Sequence, residues 1–253
     1  MNNTNKYCGY YNTKYGNMYY QYYNYKKDKT IVWLHGWGKS GNEFISFCDS
    51  FNNYNHLIID LLGFGKSSNV TLKMCLIDYV DILNSLILSH QINNIYLVGH
   101  SFGGRIAILY ASIYNINKLF LVSAKAFKNK TIKHKINILR YKVKKYFLFI
   151  LNHHNYKKYI KSMGSKDYQN ANSLMKKTMK NVVNYDLTKS LKKIKCKTVV
   201  LGSVYDNVVS YDETLKIYNL INHSVLYPFY RSFHFLYLEE KEKFIAILNK
   251  ELK

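Results

Sequence analysis

The sequence is short of cysteine, and the spacing of its few cysteines excludes two classes of small domain. Cys8, Cys48, Cys75 and Cys196 lie far apart and form no CxxC pair. Zinc ribbons and disulfide frameworks need closely spaced cysteines, so we expect neither of them, and no metal or cofactor is expected. At 253 residues with 48% hydrophobic side chains, the chain can build a sizeable core without such staples.

Proline and arginine are equally scarce, and the scarcity of arginine bears on the meaning of the charge. The chain has one proline and three arginines, yet Lys and Arg number 37 against 15 Asp and Glu, which gives a net charge of +22. Such a charge suggests a nucleic-acid or anionic-membrane binder. Polyanion sites favour Arg, however, and the abundant Lys, Asn, Ile and Tyr all have codons rich in A and T. We therefore interpret the charge as compositional bias and expect no nucleic-acid partner.

Long apolar runs are missing as well. No run exceeds the six residues of 146–151, whereas a signal peptide needs an apolar region of roughly 7–15 residues and a membrane span needs about 20. The first six residues are polar and no apolar stretch follows them. The sequence therefore predicts a soluble, cytoplasmic protein without a transmembrane segment.

Short apolar runs mark the predicted strands. A tyrosine-rich hairpin turns near residues 12–17, and the runs that follow cover residues 30–34, 56–60, 94–98, 118–122 and 198–201. Continuous runs of this kind suit parallel strands that are covered on both faces. Apolar residues at three- and four-residue spacing predict intervening helices over 72–86, 103–114 and 239–252. The alternation predicts an α/β protein with a mostly parallel sheet flanked by helices.

One segment interrupts this alternation. Residues 127–190 contain no convincing strand, and their apolar side chains follow helical spacing. We predict a core whose first part is residues 1–126, a helical insertion at 127–190, and a second part of the core at 191–253.

The most specific motif is Gly-His-Ser-Phe-Gly at residues 99–103, between a predicted strand and a predicted helix. This is the context that a G-x-S-x-G nucleophile elbow requires. A serine at so sharp a turn has a strained backbone and needs small neighbours, which the two motif glycines and Gly104 supply. The helix also directs its positive end towards the serine, where it favours developing negative charge. We interpret Ser101 as a nucleophile.

The motif resembles that of the α/β-hydrolase family, and two further motifs match the family in chain order. His-Gly-Trp-Gly at residues 35–38 is similar to the family's oxyanion loop, and residues 60–67 are similar to Asp-x-Pro-Gly-x-Gly-x-Ser, with Leu62 in place of proline. The resemblance implies the α/β-hydrolase fold, with the insertion at 127–190 as a helical cap. It also implies an oxyanion hole formed by the backbone N–H groups of Trp37 and Phe102.

In this fold the nucleophile is followed in the chain by an acid and then by a histidine. Asp206 follows the strand 198–201 and is the candidate acid; the alternative, Asp212, is expected to cap the helix that begins near Ser210. Among nine histidines only His234 follows both Ser101 and the apolar stretch 225–227, so it is the candidate base. The family usually has glycine before this histidine, where Phe233 stands here.

These residues predict a serine hydrolase of the esterase branch that cleaves a small-molecule ester or thioester through an acyl-enzyme. Branches of the family that need aspartate at the elbow are excluded by Ser101. A non-catalytic binding protein with this fold is the alternative, although such proteins are expected to lose site residues, and this chain keeps them all.

The insertion has a narrower resemblance. Residues 163–168 and 174–179 are similar to caps of bacterial carboxylesterases that act on acyl groups, including methyl esters, held by acyl carrier protein. Basic residues of the insertion would then attract an acidic carrier protein or an anionic lipid surface, although compositional bias also explains them. They are Lys142, Lys144, Lys145, Lys157, Lys158 and Lys161.

Overall fold

The computed structural model describes residues 5–128, 140, 143–146, 149, 169 and 171–253, and it has one eight-stranded sheet. The order across the sheet is β1-β2-β4-β3-β5-β6-β7-β8. The strands are β1 (Asn5–Thr13), β2 (Gly16–Asn24), β3 (Lys29–Leu34), β4 (Asn55–Ile59), β5 (Asn94–His100), β6 (Lys118–Val122), β7 (Lys197–Ser203) and β8 (Ser224–Phe229). The strands from β3 to β8 pair in parallel, so the mostly parallel sheet predicted from the sequence is confirmed.

The first two strands form the predicted tyrosine-rich hairpin, and they are antiparallel to their neighbours. The Tyr15 hydroxyl at its turn donates to the Asp78 carboxylate at 2.6 Å, which ties the hairpin to the first long helix. This hydrogen bond, together with partial burial, raises the pKa of Tyr15 to about 12.

Helices cover both faces of the sheet. They are α1 (Leu76–Ser89), α2 (Phe102–Ala111), α3 (Ser173–Asn184), α4 (Thr188–Leu191), α5 (Tyr211–Leu220), α6 (Leu236–Glu239) and α7 (Lys241–Glu251), with 3₁₀ turns at Gly41–Phe47 and Asp49–Phe51. The hydrophobic core on one face includes side chains of α1 and α2. The core on the other face includes α7 and the 3₁₀ turns. Within the described ranges, no helix combines the length and the apolar character that crossing a membrane would require.

The start of one helix and the capping residue of another differ from the sequence-based expectation. The prediction that the first helix begins near Leu72 is wrong, because α1 begins at Leu76 and Leu72 is 52% exposed. The Asp78 carboxylate accepts the Cys75 backbone N–H at 2.6 Å. This hydrogen bond caps the helix at Cys75, so the helix begins after Leu72 and not at it. The predicted cap by Asp212 is also wrong, since the Ser210 hydroxyl is what accepts the Glu213 N–H.

The predicted insertion is described mainly in its last third. Helix α3 lies on the core, where the Thr178 hydroxyl accepts the Met74 N–H at 3.0 Å and the Asn181 amide donates to the Met74 carbonyl at 3.2 Å. The motif at 163–168 lies outside the described residues, as do four of the six predicted basic positions, Lys142, Lys157, Lys158 and Lys161. The domain boundaries at 126 and 190 stay predictions.

Candidate active site

Ser101 lies at the turn between β5 and α2, in the conformation expected of a nucleophile elbow. Its backbone φ is 50° and ψ is −105°, a region that non-glycine residues rarely adopt. A Cβ added at Gly99 would lie 2.6 Å from the Gly103 carbonyl oxygen, and one added at Gly103 would overlap the Leu34 carbonyl. Glycine is therefore required at both motif positions, because α2 starts in direct contact with β3 and β5.

His35 organises the loop that faces the elbow. Its Nε2 accepts the Leu61 N–H at 2.9 Å, so its Nδ1 carries the proton and donates to the Gly36 carbonyl at 2.7 Å. Burial lowers the pKa of His35 to about 4, and the ring therefore stays neutral at neutral pH. The His35 carbonyl accepts the Gly103 N–H at 3.1 Å, which joins the loop to the elbow.

Asp60 fixes the segment that follows this loop. Its two carboxylate oxygens accept the backbone N–H groups of Gly41 and Lys66, each at 2.7 Å. Gly65 has a φ of +56°, and a Cβ there would overlap the Asp60 carboxylate. The second family motif thus works as a brace for the segment that follows the loop at residues 35–38.

The two predicted oxyanion donors, Trp37 and Phe102, are neighbours. Their rings contact each other with centroids 5.2 Å apart. Phe102 is the first residue of α2, where a backbone N–H has no acceptor within the helix. In the described part of the chain neither N–H donates to a protein acceptor. Their role as an oxyanion hole stays a prediction.

His234 and Asp206, the predicted base and acid, form a hydrogen bond. His234 Nδ1 lies 2.8 Å from Asp206 Oδ2, and the Asp206 side chain is only 2% exposed. The other carboxylate oxygen accepts the backbone N–H groups of Val208 and Val209 at 2.7 and 2.9 Å. Burial alone would raise the pKa of Asp206, but the hydrogen bonds from His234 and the two amides outweigh it and lower the pKa below its usual value.

The loop that carries His234 is fixed by two glutamates. Glu240 accepts the Arg231 N–H at 3.0 Å and the Ser232 hydroxyl at 2.7 Å, and Glu239 accepts the Phe233 N–H. The Phe233 side chain is 56% exposed. The family's usual glycine is therefore not needed here, because the larger side chain points into solvent.

Ser101 and His234 line one cavity of about 430 Å³. Its wall is mostly apolar, and it includes Trp37, Phe102, Met179, Val182, Val183, Val208 and Phe235. The Ser101 hydroxyl makes no hydrogen bond to the imidazole in this structure, a pattern common in enzymes without substrate. His234 Nδ1 is engaged by Asp206, so Nε2 is the nitrogen left to act on a proton in the cavity.

Arg105, to which no sequence motif assigns a role, also lines this cavity. It is 2% exposed, and its guanidinium donates to the carbonyls of Lys125 at 2.9 Å, Val182 at 2.8 Å and Tyr185. Burial lowers its pKa to about 10. No carboxylate within the described residues forms a salt bridge with it, and its Nε has no partner there. The feature of the sequence that could have identified Arg105 is its position, as a charged residue one turn after Ser101 in an otherwise apolar helix.

Comparisons with known proteins bear on the fold that carries this site. A family model described as alpha/beta hydrolase fold matches residues 29–135. A curated relative from Shigella flexneri serotype 5b, named 2-succinyl-6-hydroxy-2,4-cyclohexadiene-1-carboxylate synthase, is 35% identical over 81 residues. That alignment spans 32% of this chain and 32% of the relative, so the match covers about a third of the relative's length.

Solved structures match over most of the chain. An esterase from Exiguobacterium antarcticum superposes with a TM-score of 0.73 at 22% identity, over 93% of this chain and 95% of that one. MenH from S. aureus superposes with a TM-score of 0.70 at 22% identity, over 92% and 99%. Identities at this level show the fold, and the matched family model and the strand order agree with it. The chain has the α/β-hydrolase fold over most of its length.

Proposed function

We propose that the protein is a serine hydrolase that cleaves a carboxylic ester or thioester through an acyl-enzyme on Ser101. The observation that carries the proposal is the hydrogen bond from His234 to the buried Asp206, with His234 and Ser101 lining the same apolar cavity. A strained serine, an oriented imidazole and a buried carboxylate in this relation are the parts of a nucleophile–base–acid system.

In the proposed reaction His234 Nε2 accepts the Ser101 proton as Oγ attacks the acyl carbonyl. Asp206 keeps the proton on Nδ1 and stabilises the imidazolium that forms. The Trp37 and Phe102 amides donate to the oxyanion, each contributing about 3 kcal/mol in comparable sites. His234 then returns its proton to the leaving alcohol or thiol. In the second half-reaction His234 takes a proton from water as the water attacks the acyl-enzyme, and it then gives this proton to Ser101 Oγ as the acid is released.

A fluorophosphonate probe tests the proposal directly, because it phosphonylates only a serine whose proton is removed by a base. The folded protein should gain one phosphonyl group, and mass spectrometry of the digest should find it on the peptide containing Ser101. Hydrolysis of chromogenic esters and acyl thioesters of increasing chain length would then identify the preferred substrate. A folded protein that is neither labelled nor active on the panel would instead be a binding protein.

A specific observation favours an anionic substrate for this site. Lys39, Arg105 and Lys125 line the cavity, and no carboxylate among the described residues lines it with them. An unpaired buried cation is costly, so a substrate carboxylate near Arg105 would gain a charge-assisted hydrogen bond. The curated relatives are named for a product that is a carboxylate. The second candidate function is therefore a reaction that yields a carboxylate product, in which Ser101 and His234 act on a substrate that carries a carboxylic acid.

The preference is measurable with two 4-nitrophenyl esters that differ in one charge, the hexanoate and the monoester of adipate. We expect wild-type kcat/KM to favour the adipate ester by about tenfold, the lower end of a charge-assisted bond. Lys125→Met should reduce this ratio, whereas Lys73→Met, which removes an exposed charge outside the cavity lining, should leave it unchanged. Arg105→Lys should retain more of the preference than Arg105→Met. Equal kcat/KM for both esters in the wild type would contradict an anionic substrate.

A further inference from the structure

His100 is the last residue of β5 and directly precedes Ser101. It is 1% exposed and lies among the aromatic residues that surround the site. Its ring centroid is 4.8 Å from that of His234 and 4.9 Å from that of Tyr237. A histidine buried here occupies space that an apolar residue would fill at a lower cost, so its polar atoms need an explanation.

One of those atoms contacts the backbone of the predicted base. His100 Nε2 lies 3.1 Å from the carbonyl oxygen of His234. A carbonyl only accepts hydrogen bonds, so Nε2 carries the proton and donates. Burial lowers the pKa of His100 to about 3, and the charge of His234 acts in the same direction. The ring is therefore neutral and can hold this bond without adding a second cation next to His234.

The other nitrogen faces the oxyanion loop. A Cβ added at Gly36 would lie 2.8 Å from His100 Nδ1, so the loop backbone passes directly over the ring. Nδ1 is buried and has no hydrogen-bond partner among the described residues. His100 thus touches the elbow through the chain, the base through a hydrogen bond, and the oxyanion loop through packing.

The remaining hydrogen bonds of the base loop that the structure describes do not reach the backbone of His234. Glu239 and Glu240 accept hydrogen bonds from residues 231–233. The Ser203 hydroxyl donates to the Ser232 carbonyl. Asp206 orients the His234 ring but not its backbone. The hydrogen bond from His100 fixes the backbone of His234 relative to the residue next to the nucleophile.

We propose that His100 is a positioning residue that sets the distance between His234 and Ser101 by holding the His234 carbonyl. The inference rests on the proposed function, because the distance between Ser101 and His234 affects the rate only if the two residues act as nucleophile and base. Proton transfer between positioned groups is sensitive to displacement, and a shift of about 1 Å costs on the order of 100-fold in rate.

Two amide substitutions separate the hydrogen bond from the polarity of the site. In His100→Gln the side-chain NH₂ reaches the position of Nε2, whereas in His100→Asn it reaches only the position of Nδ1. We expect His100→Asn to lower kcat for a 4-nitrophenyl ester by about 100-fold with KM within about twofold, and His100→Gln to retain kcat within about fivefold. Equal kcat values for the two variants would overturn the proposal.

A second measurement tests whether His100 acts through His234. In a His234→Ala background, His100→Asn should cause less than about a twofold further loss, because the base that it positions is gone. A further loss as large as in the wild type would mean a general structural role and would overturn the proposal.

A third measurement does not depend on activity. The NMR resonance of the His234 Nδ1 proton, identified by its loss in His234→Ala, should move in His100→Asn and keep its wild-type position in His100→Gln. An unchanged resonance in both variants would overturn the positioning role. If the wild type is inactive and unlabelled but its resonance responds as described, the proposed function is contradicted, whereas the hydrogen bond from His100 to the His234 carbonyl is still supported.

Discussion

Ser101→Ala is expected to lower kcat for ester hydrolysis by about 10⁶-fold, because it removes the atom that forms the acyl-enzyme. The residual rate would come from substrate binding and from any stabilisation of the oxyanion by the Trp37 and Phe102 amides. KM should change little, since the hydroxyl contributes little to the cavity wall. The measurement is steady-state hydrolysis of a 4-nitrophenyl ester, with thermal unfolding to show that the variant is folded.

Ser123→Ala provides a matched control. Ser123 is a buried serine that has a positive φ like Ser101, at 43°, and it is absent from the lining of the cavity described above. Its replacement should leave kcat within about threefold of the wild type, the range of an ordinary substitution away from the chemistry. A comparable loss of activity in both variants would show that serine removal at a strained position damages the fold, and Ser101 would lose its assigned role.

Asp206→Asn is expected to lower kcat by about 10⁴-fold while the protein stays folded. Two backbone amides donate to Asp206 Oδ1, so the asparagine would place its carbonyl oxygen there. Its NH₂ group would then face His234 Nδ1 and donate to it. The imidazole proton would move to Nε2, and Nε2 could no longer accept the proton of Ser101.

The appropriate control for this variant is Asp212→Asn. Asp212 is the other carboxylate considered for this role; it is exposed, in the first turn of α5. Its replacement should leave kcat within about twofold of the wild type, because solvent and salt screen an exposed surface charge. Should Asp212→Asn lose activity and Asp206→Asn keep it, the assignment of the acid would be reversed.

The residues of the candidate site could be predicted because each is marked by local context. Ser101 lies between a strand and a helix in both the sequence and the structure. His234 and Asp206 follow the last two strands of the sheet, where the parallel arrangement brings strand ends to one edge. The start of α1 was missed because apolar spacing continues to Leu72, whereas the hydrogen bond between Asp78 and Cys75 determines where the helix begins.

The partners of the buried polar groups could not be predicted from the sequence. The guanidinium of Arg105 is bound by carbonyls 20, 77 and 80 residues away, and His100 is bound to a carbonyl 134 residues away. No local pattern encodes such contacts, because they exist only after the sheet and the loops have packed. His100 is therefore visible in the sequence only as a member of the elbow motif, and Arg105 only as a charge in an apolar helix.

The two tryptophans give the protein two separate optical signals. Trp33 is fully buried, stacks on Phe44 with centroids 5.0 Å apart and donates to His56. Trp37 lines the cavity beside Ser101. Indole emission moves to longer wavelength when the ring meets water, so unfolding changes the emission of Trp33, and a ligand that displaces cavity water changes that of Trp37. With Trp37→Phe as the reference, fluorescence can follow occupancy of the cavity in a folded protein without any chromogenic substrate.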